Sequence, residues 1–422
     1  MPTENHAADN LHPARPGFAE ALRWWFKLGC ISFGGPAGQI ALMHDEMVER
    51  RRWIDEEGFV RALNYCMLLP GPEAQQLATY IGWRLHGVRG GVAAGALFIL
   101  PSLLLFLLLS WAYVVWQHVP AVEHAMAGLR PVVVAIIAMA AWRLGRRMLK
   151  RPAHWTIAAG GFIGLAWLGL PFPLLVALAA AAGALLLRPG ASRAPPPSSP
   201  RAGAPSPWRL LPKALLACAF LWGMAFVLLP AGTLATMALF FTQAAFLTFG
   251  GAYAVLPYID AAAVGRYGWL APGQMLDGLA LGETTPGPLI MIVTFVGFVG
   301  AWNLGEGDLG MALAGGLVAT LFTFIPSFLL VLAGAPLVEA SGRHSRLDAP
   351  LAGIGAVVIG VIAHLAFRFG NSTFRPDGRF DPFALLLAVM ALLAMARWRI
   401  GVLPLMVAGV LAGLARHLFS PG

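Results

Sequence analysis

Residues 90–122, 214–259 and 309–338 carry no Asp, Glu, Lys or Arg. About 20 apolar residues cross a bilayer, so each run is long enough to span one, and a chain built around such runs is not a soluble globule. Charged residues make up 12% of the 422 and hydrophobic ones 58%, against roughly 25% charged in soluble domains. Residues 152–187 are a further uncharged run, broken by "GLPFP", which predicts two short helices and a tight turn. The expected fold class is an all-α polytopic membrane protein, with the lipid bilayer as its solvent.

The net charge of +9 does not point to a nucleic-acid partner. The Lys and Arg residues sit in loops between apolar runs, the positive-inside pattern of membrane proteins. Cys30, Cys66 and Cys218 lie in apolar stretches without metal-ligand spacing and read as small core residues. Residues 1–17 are polar and lack signal-peptide order, so they are expected to form a cytoplasmic tail and the first apolar segment to stay in the mature protein.

Residues 188–212 contain eight prolines among Ala, Ser, Gly and Arg. That composition neither forms a helix nor packs a core, and reads as an exposed linker. On either side of it the sequence repeats. "SFGGPAG" from Ser32 matches "TFGGAYA" from Thr248, 216 residues on; Trp53 matches Trp269, Leu63 matches Leu279, and Pro70-Gly71-Pro72 matches Pro286-Gly287-Pro288 at the same offset. Gly90-Gly91 and Pro101-Ser102 match Gly315-Gly316 and Pro326-Ser327 at an offset of 225. The expected division is residues 18–187 as one repeat, and residues 213–422 as an additional span followed by the second.

The loops of the first copy are basic (Arg50, Arg51, Arg52, Arg61, Arg84, Arg89), whereas those of the second hold Arg266 and the acidic "NLGEGDLG" from Asn303. By the positive-inside rule the two copies have opposite orientation, and the apolar run 213–230 supplies the odd crossing. Inverted-topology repeats are a recurring plan of secondary transporters, with the site at the repeat interface. Arg61 and Arg84 are both expected on the cytoplasmic side, and the stretch between them is too short to cross twice. A re-entrant helical hairpin turning at Pro70-Gly71-Pro72 fits, with "FGGP" at 33–36 a second candidate break. Non-helical backbone at membrane depth must be buried in protein or line a cavity.

These residues define a resemblance. "FGGPAGQIALM" from Phe33, "LPGPEAQQLATYIGWRLHGVRGGVAAG" from Leu69, and "TFGG" and "TPGP" in the second copy are similar to the chromate transporter (CHR) family in its long, two-domain form. The resemblance implies chromate export across the inner (cytoplasmic) membrane driven by the proton motive force, with chromate or sulfate and protons as partners, no cofactor and no catalytic or metal-ligating residue. A homodimer is also among the assemblies considered. The copies differ: Pro36 is Ala252 in the second, and Gln75-Gln76 are Met291 and Ile292.

A tetrahedral dianion needs several N–H or O–H donors. Half-helix N-termini attract anions; the candidates are Gly34, Gly35, Gly38 and Gly71, facing Gly250, Gly251 and Gly287. Ser32, Gln39, Gln75, Gln76, Thr248, Thr284 and Thr285 are candidate side-chain donors. The alternative is that the glycines only permit close helix packing. Arg23 and Lys27 share a helix face and either attract the anion, as the resemblance favours, or snorkel to the interface. Glu73 and Glu283 flank the two turns. A carboxylate at that depth is costly unless protonated or paired, making each a candidate proton carrier; the competing expectation is an ion pair such as Glu73 with Arg84. The mixed-charge run from His44 to Glu57 reads as an amphipathic solvated loop. Sulfate or another oxyanion transporter and a passive channel stay open. An intramembrane lipid-phosphate hydrolase is disfavoured, because Thr284 and Thr285 have no His or Cys–His companion.

Overall fold

The computed structural model describes residues 16–33, 35–187, 231–340 and 348–419, with eight positions between 216 and 229. Most of the expected N-terminal tail, the Pro-rich linker, Gly34, Cys218 and much of the additional span lie outside the described residues. The described regular elements are helical: α1 Phe18–Ile31, α2 Gly35–His44, α3 Glu56–Cys66, α4 Glu73–Trp116, α5 Pro120–Met148, α6 Pro152–Ala166, α7 Phe172–Leu186, α8 Thr233–Leu247, α9 Ala252–Asp260, α10 Pro272–Thr284, α11 Ile292–Leu304, α12 Leu309–Ala340, α13 Asp348–Phe374, α14 Pro382–Arg397 and α15 Val402–Phe419. Four of them, within α4, α5, α12 and α13, are long and apolar enough to cross a membrane. The protein is an all-α polytopic membrane protein.

The Pro-Gly-Pro stretches do break the chain. α3 has 11 residues, about 16 Å at 1.5 Å per residue, roughly half of a 30 Å hydrocarbon core. α4 is itself broken at His86 (φ −135°) and Gly87 (φ +66°, ψ −158°), a conformation that glycine reaches without a Cβ clash. Its first limb, 73–85, is therefore a short helix, and only its second limb is a crossing. The second copy has the same plan: α10 and α11 are 13 residues each, a 3-10 turn Leu289–Met291 precedes α11, and α12 follows. In both copies the short limb lies against the crossing helix through glycines. A Cβ on Gly82 would strike Gly90 O, and one on Gly297 would strike Gly315 O.

The FGG stretches also break, between α1 and α2 and between α8 and α9. α2 and α9 each run into a π turn, Asp45–Arg50 and Ala261–Arg266. The run from His44 is thus not a solvated loop. Met47, Trp53 and Ile54 are buried, while Arg51 pairs with Glu46 (2.7 Å) and Glu20 (2.8 Å) around them. Apolar anchors on one side of a charged helical turn explain the mixed composition. Cys66 is buried but Cys30 is exposed, so the latter is not a core residue. Residues 152–187 form α6 and α7 with a turn at Gly169 (φ +59°).

The copies interlock. α5 packs on α14 and α15, and α13 packs on α6 and α7, so the long helix of each copy is covered by the short pair of the other. The crossings are glycine to glycine, as small residues permit in membranes. A Cβ at Gly128 would collide with Gly409 O and the Gly413 backbone, and one at Gly353 with Ala179 O and the Gly183 backbone. Gly353→Val or Gly128→Val is expected to lower the thermal midpoint of the purified protein, since overpacking typically costs about 1–3 kcal/mol. Gly160→Val, on α6 with open space around it, is the matched control and should leave the midpoint unchanged.

Candidate functional site

The two Pro-Gly-Pro turns each dock on the FGG break of the other copy. Gly71, in the left-handed region at φ +125°, donates its N–H to Thr248 O at 2.7 Å. Gly287, at φ +109°, donates to Ser32 O at 2.8 Å. The pairs are equivalent under the 216-residue offset, with donor and acceptor exchanged between copies. Ser32 O also accepts from Gln39 Nε2 at 3.3 Å, and Pro70 O accepts from Gln76 Nε2 at 2.7 Å. Ser32, Gln39, Gln75, Gln76 and Thr248 are all buried.

The donors these residues offer are mostly engaged. Ser32 Oγ bonds Leu28 O, Thr248 Oγ1 bonds Ala244 O (2.7 Å), Thr284 Oγ1 bonds Leu281 O (2.9 Å) and Thr285 Oγ1 bonds Gly282 O (3.3 Å). Each hydroxyl turns back on its own helix, a pattern that competes with outward donation. What stays open is the start of α4, whose N-cap Pro72 provides no side-chain cap, and that of α9, capped by Gly251 at φ +98° without a side chain. First-turn N–H groups lack intrahelical partners and attract negative charge. Among the described residues the amide oxygens of Gln39, Gln75 and Gln76 have no hydrogen-bond partner, and neither has Ser327 Oγ. Gln75 Nε2 donates to Thr79 Oγ1 at 3.0 Å.

The turns thus bring together Ser32, Gln39 and Gly287 on one side, and Gly71, Gln76 and Thr248 on the other. Gly35 and Gly250 adopt φ of +72° and +78°, as chain breaks there require, and Gly38 follows within the first turns of α2. Arg23 and Lys27 are not gathered in: both are exposed on α1, with Lys27 Nζ 5.9 Å from the Trp24 ring centre. Glu73 opens α4. Arg84, the cation considered as its partner, pairs instead with Asp55 at 2.9 Å. Glu283, at the end of α10, accepts a hydrogen bond from Tyr253 OH.

Sequence reasoning missed two buried ion pairs. Asp277 on α10 is 2% exposed and meets Arg130 of α5 through two bonds, Nε–Oδ1 at 2.8 Å and NH2–Oδ2 at 2.9 Å. Tyr113 OH adds a third bond at 2.8 Å. The pair joins the copies beside a recess of about 290 Å³ lined by Gln117, His118, Glu123 and Gln274 among others. Asp260 on α9, also 2% exposed, pairs with Arg368 of α13 at 2.7 Å. The available signal was a lone charge in an apolar segment ("MLDGLALG", "LPYIDAAAV"), which by default marks function.

Such a fold, with short helices broken at glycine and proline packed among long apolar helices, has the form of a polytopic membrane protein. The chain belongs to the chromate transporter family, whose sequence profile matches it twice, over residues 19–184 and 235–414. It is 36% identical over 361 residues to the chromate transport protein of Pseudomonas aeruginosa, covering 83% of this chain and 80% of that one. A "probable chromate transport protein" of Synechococcus elongatus is 28% identical over 414 residues, 97% of each chain. YwrB, an uncharacterized transporter of Bacillus subtilis, is 32% identical over 139 residues, which are 33% of this chain and 68% of its own. No solved structure shows significant similarity to the chain. The family is one of transporters, not enzymes.

Breaking the buried pair by removing one partner strands a charge, at a cost of about 3–5 kcal/mol. Arg130 keeps its side chain 34% exposed, so Asp277→Asn is expected at the low end of that range, as a drop in thermal midpoint. The double variant Arg130→Met with Asp277→Leu should recover much of the loss, and a double-mutant cycle measures the coupling.

Proposed function

We propose that the protein is a secondary transporter that exports chromate across the inner membrane, coupled to the proton motive force, through two copies of opposite membrane orientation. The observation that carries this reading is the reciprocal docking of the turns, Gly71 on Thr248 and Gly287 on Ser32. A two-fold relation between copies makes residue i of one meet j of the other while j meets i, so the reciprocal contact supports such an axis. The charge asymmetry of the loops supports an axis in the membrane plane, with the hairpins 56–85 and 272–304 entering from opposite sides and turning back. Binding at such an interface is the plan of inverted-repeat transporters. Related proteins named for chromate transport support the substrate.

In this reading the uncapped starts of α4 and α9 attract the oxyanion, and the glycines at Gly35, Gly38, Gly250 and Gly251 permit close approach of backbone. Gln39, Gln75 and Gln76, all in the first copy, contribute the second N–H of each side-chain amide, the first being used in the contacts above. Arg23 and Lys27 act from the surface of α1, by raising the local anion concentration. Sulfate shares the geometry and charge of chromate and is the second reading.

Purified protein in proteoliposomes is expected to move chromate against its gradient when a pH gradient is imposed. Uptake indifferent to that gradient would reject coupling, and transport of sulfate with none of chromate would favour the second reading. Cysteines placed at residues 50–52 and 305–310 are expected to label from opposite sides; labelling from one side would reject the inverted orientation.

Glu73 makes no ion pair among the described residues and is the proposed proton carrier. Glu73→Gln is expected to keep chromate binding and lose proton-driven accumulation. A variant that still concentrates chromate would shift the role to Glu283.

A further inference from the structure

The Pro-Ser pairs 101–102 and 326–327, matched at the 225-residue offset, reach the two turns crosswise. Ser102 of the first copy lies against Gly287, and Ser327 of the second lies against Gly71, close enough that a Cβ on either glycine would overlap the serine hydroxyl. Both serines are 0% exposed. These equivalent places do not hold equivalent bonds. Ser102 Oγ donates to Pro286 O at 2.6 Å. The matching acceptor, Pro70 O, is taken by Gln76 Nε2. The residue that corresponds to Gln76 in the second copy is Ile292, whose side chain has no donor. At the first copy's turn the carbonyl bonds an amide of its own copy, and Ser327 Oγ has no hydrogen-bond partner among the described residues.

A buried hydroxyl without a partner costs free energy, and helices have a local remedy in the carbonyl one turn back. Thr320 and Thr323, earlier on α12, use it, bonding Gly316 O (2.8 Å) and Ala319 O (2.7 Å). Ser327 does not. Its hydroxyl lies at Gly71, two residues before the uncapped start of α4, with the partnerless Gln76 Oε1 of the same turn. A hydroxyl and first-turn amides together form a donor set for a small tetrahedral oxyanion.

We propose that Ser327, contributed by the second copy to the turn of the first, is a substrate-binding residue that donates its O–H to the transported oxyanion, while its counterpart Ser102 is structural. This rests on the oxyanion reading given above. It places the binding site at Gly71 and not symmetrically at both turns, because only at Gly71 is the serine released.

The pair supplies its own control. In the full-length purified protein, Ser327→Ala is expected to weaken chromate binding about tenfold or more, the effect of one hydrogen bond to a charged group. Its thermal midpoint without ligand should be unchanged or raised, since a partnerless buried hydroxyl is removed. Ser102→Ala should do the reverse, lowering the midpoint by stranding Pro286 O and leaving chromate affinity near that of the unaltered protein. Ser327→Cys keeps the size and loses the strong donor, so it should bind as weakly as Ser327→Ala. Wild-type affinity in a folded Ser327→Ala or Ser327→Cys protein would overturn the contact, as would a fall in ligand-free stability for Ser327→Ala matching that of Ser102→Ala. Failure of the unaltered protein to bind chromate would instead overturn the reading of the substrate, and this contact with it.

Discussion

Backbone that leaves the helix inside a membrane must find partners for its N–H and C=O groups within the protein, because hydrocarbon offers none. Here the glycine of each Pro-Gly-Pro turn gives its N–H to a carbonyl at the FGG break of the other copy. One break thereby satisfies another, and neither copy can do this alone. The exchange extends outward: Gly128 and Gly353 let α5 and α13 lie under helices of the opposite copy, and the two halves become a single interlocked body.

Within this near-symmetry the polar chemistry is divided unequally. The turn of the first copy is flanked by neutral amides, Gln75 and Gln76, with Glu73 at the helix start. The second copy has apolar Met291 and Ile292 at the matching positions, and its carboxylates are engaged: Asp277 is neutralised by Arg130, Asp260 by Arg368, and Glu283, just before the turn, is held by Tyr253. Neutral donors suit a dianion that must be released again, whereas an unpaired cation at the same depth would hold it. The second copy's buried carboxylates instead fix helices to one another, as the two hydrogen bonds between Arg130 and Asp277 do across the copies.

The same inequality explains why the hydroxyls counted as donors from their identity are not all equivalent in space. Ser32, Thr248, Thr284 and Thr285 are in place around the turns, yet their protons are spent on their own helices. Ser327 Oγ, by contrast, has no hydrogen-bond partner among the described residues.

The sequence by itself determined the solvent, the helical class, the duplication and the places where helices stop. Those properties are local: uncharged runs of sufficient length, Gly and Pro at fixed positions, and a repeated offset need no knowledge of neighbours. It also placed Ser32, Gly71, Thr248 and Gly287 among the important residues, without showing that they pair crosswise. Only the tertiary structure decided which break meets which, that Arg84 faces Asp55 rather than Glu73, that Arg23 and Lys27 lie on the surface, and that Asp277 is held by an arginine of the other copy. Each of these is a contact between residues distant in the chain, and such contacts are set by how helices from two copies fill one volume, for which helical period and composition carry no signal.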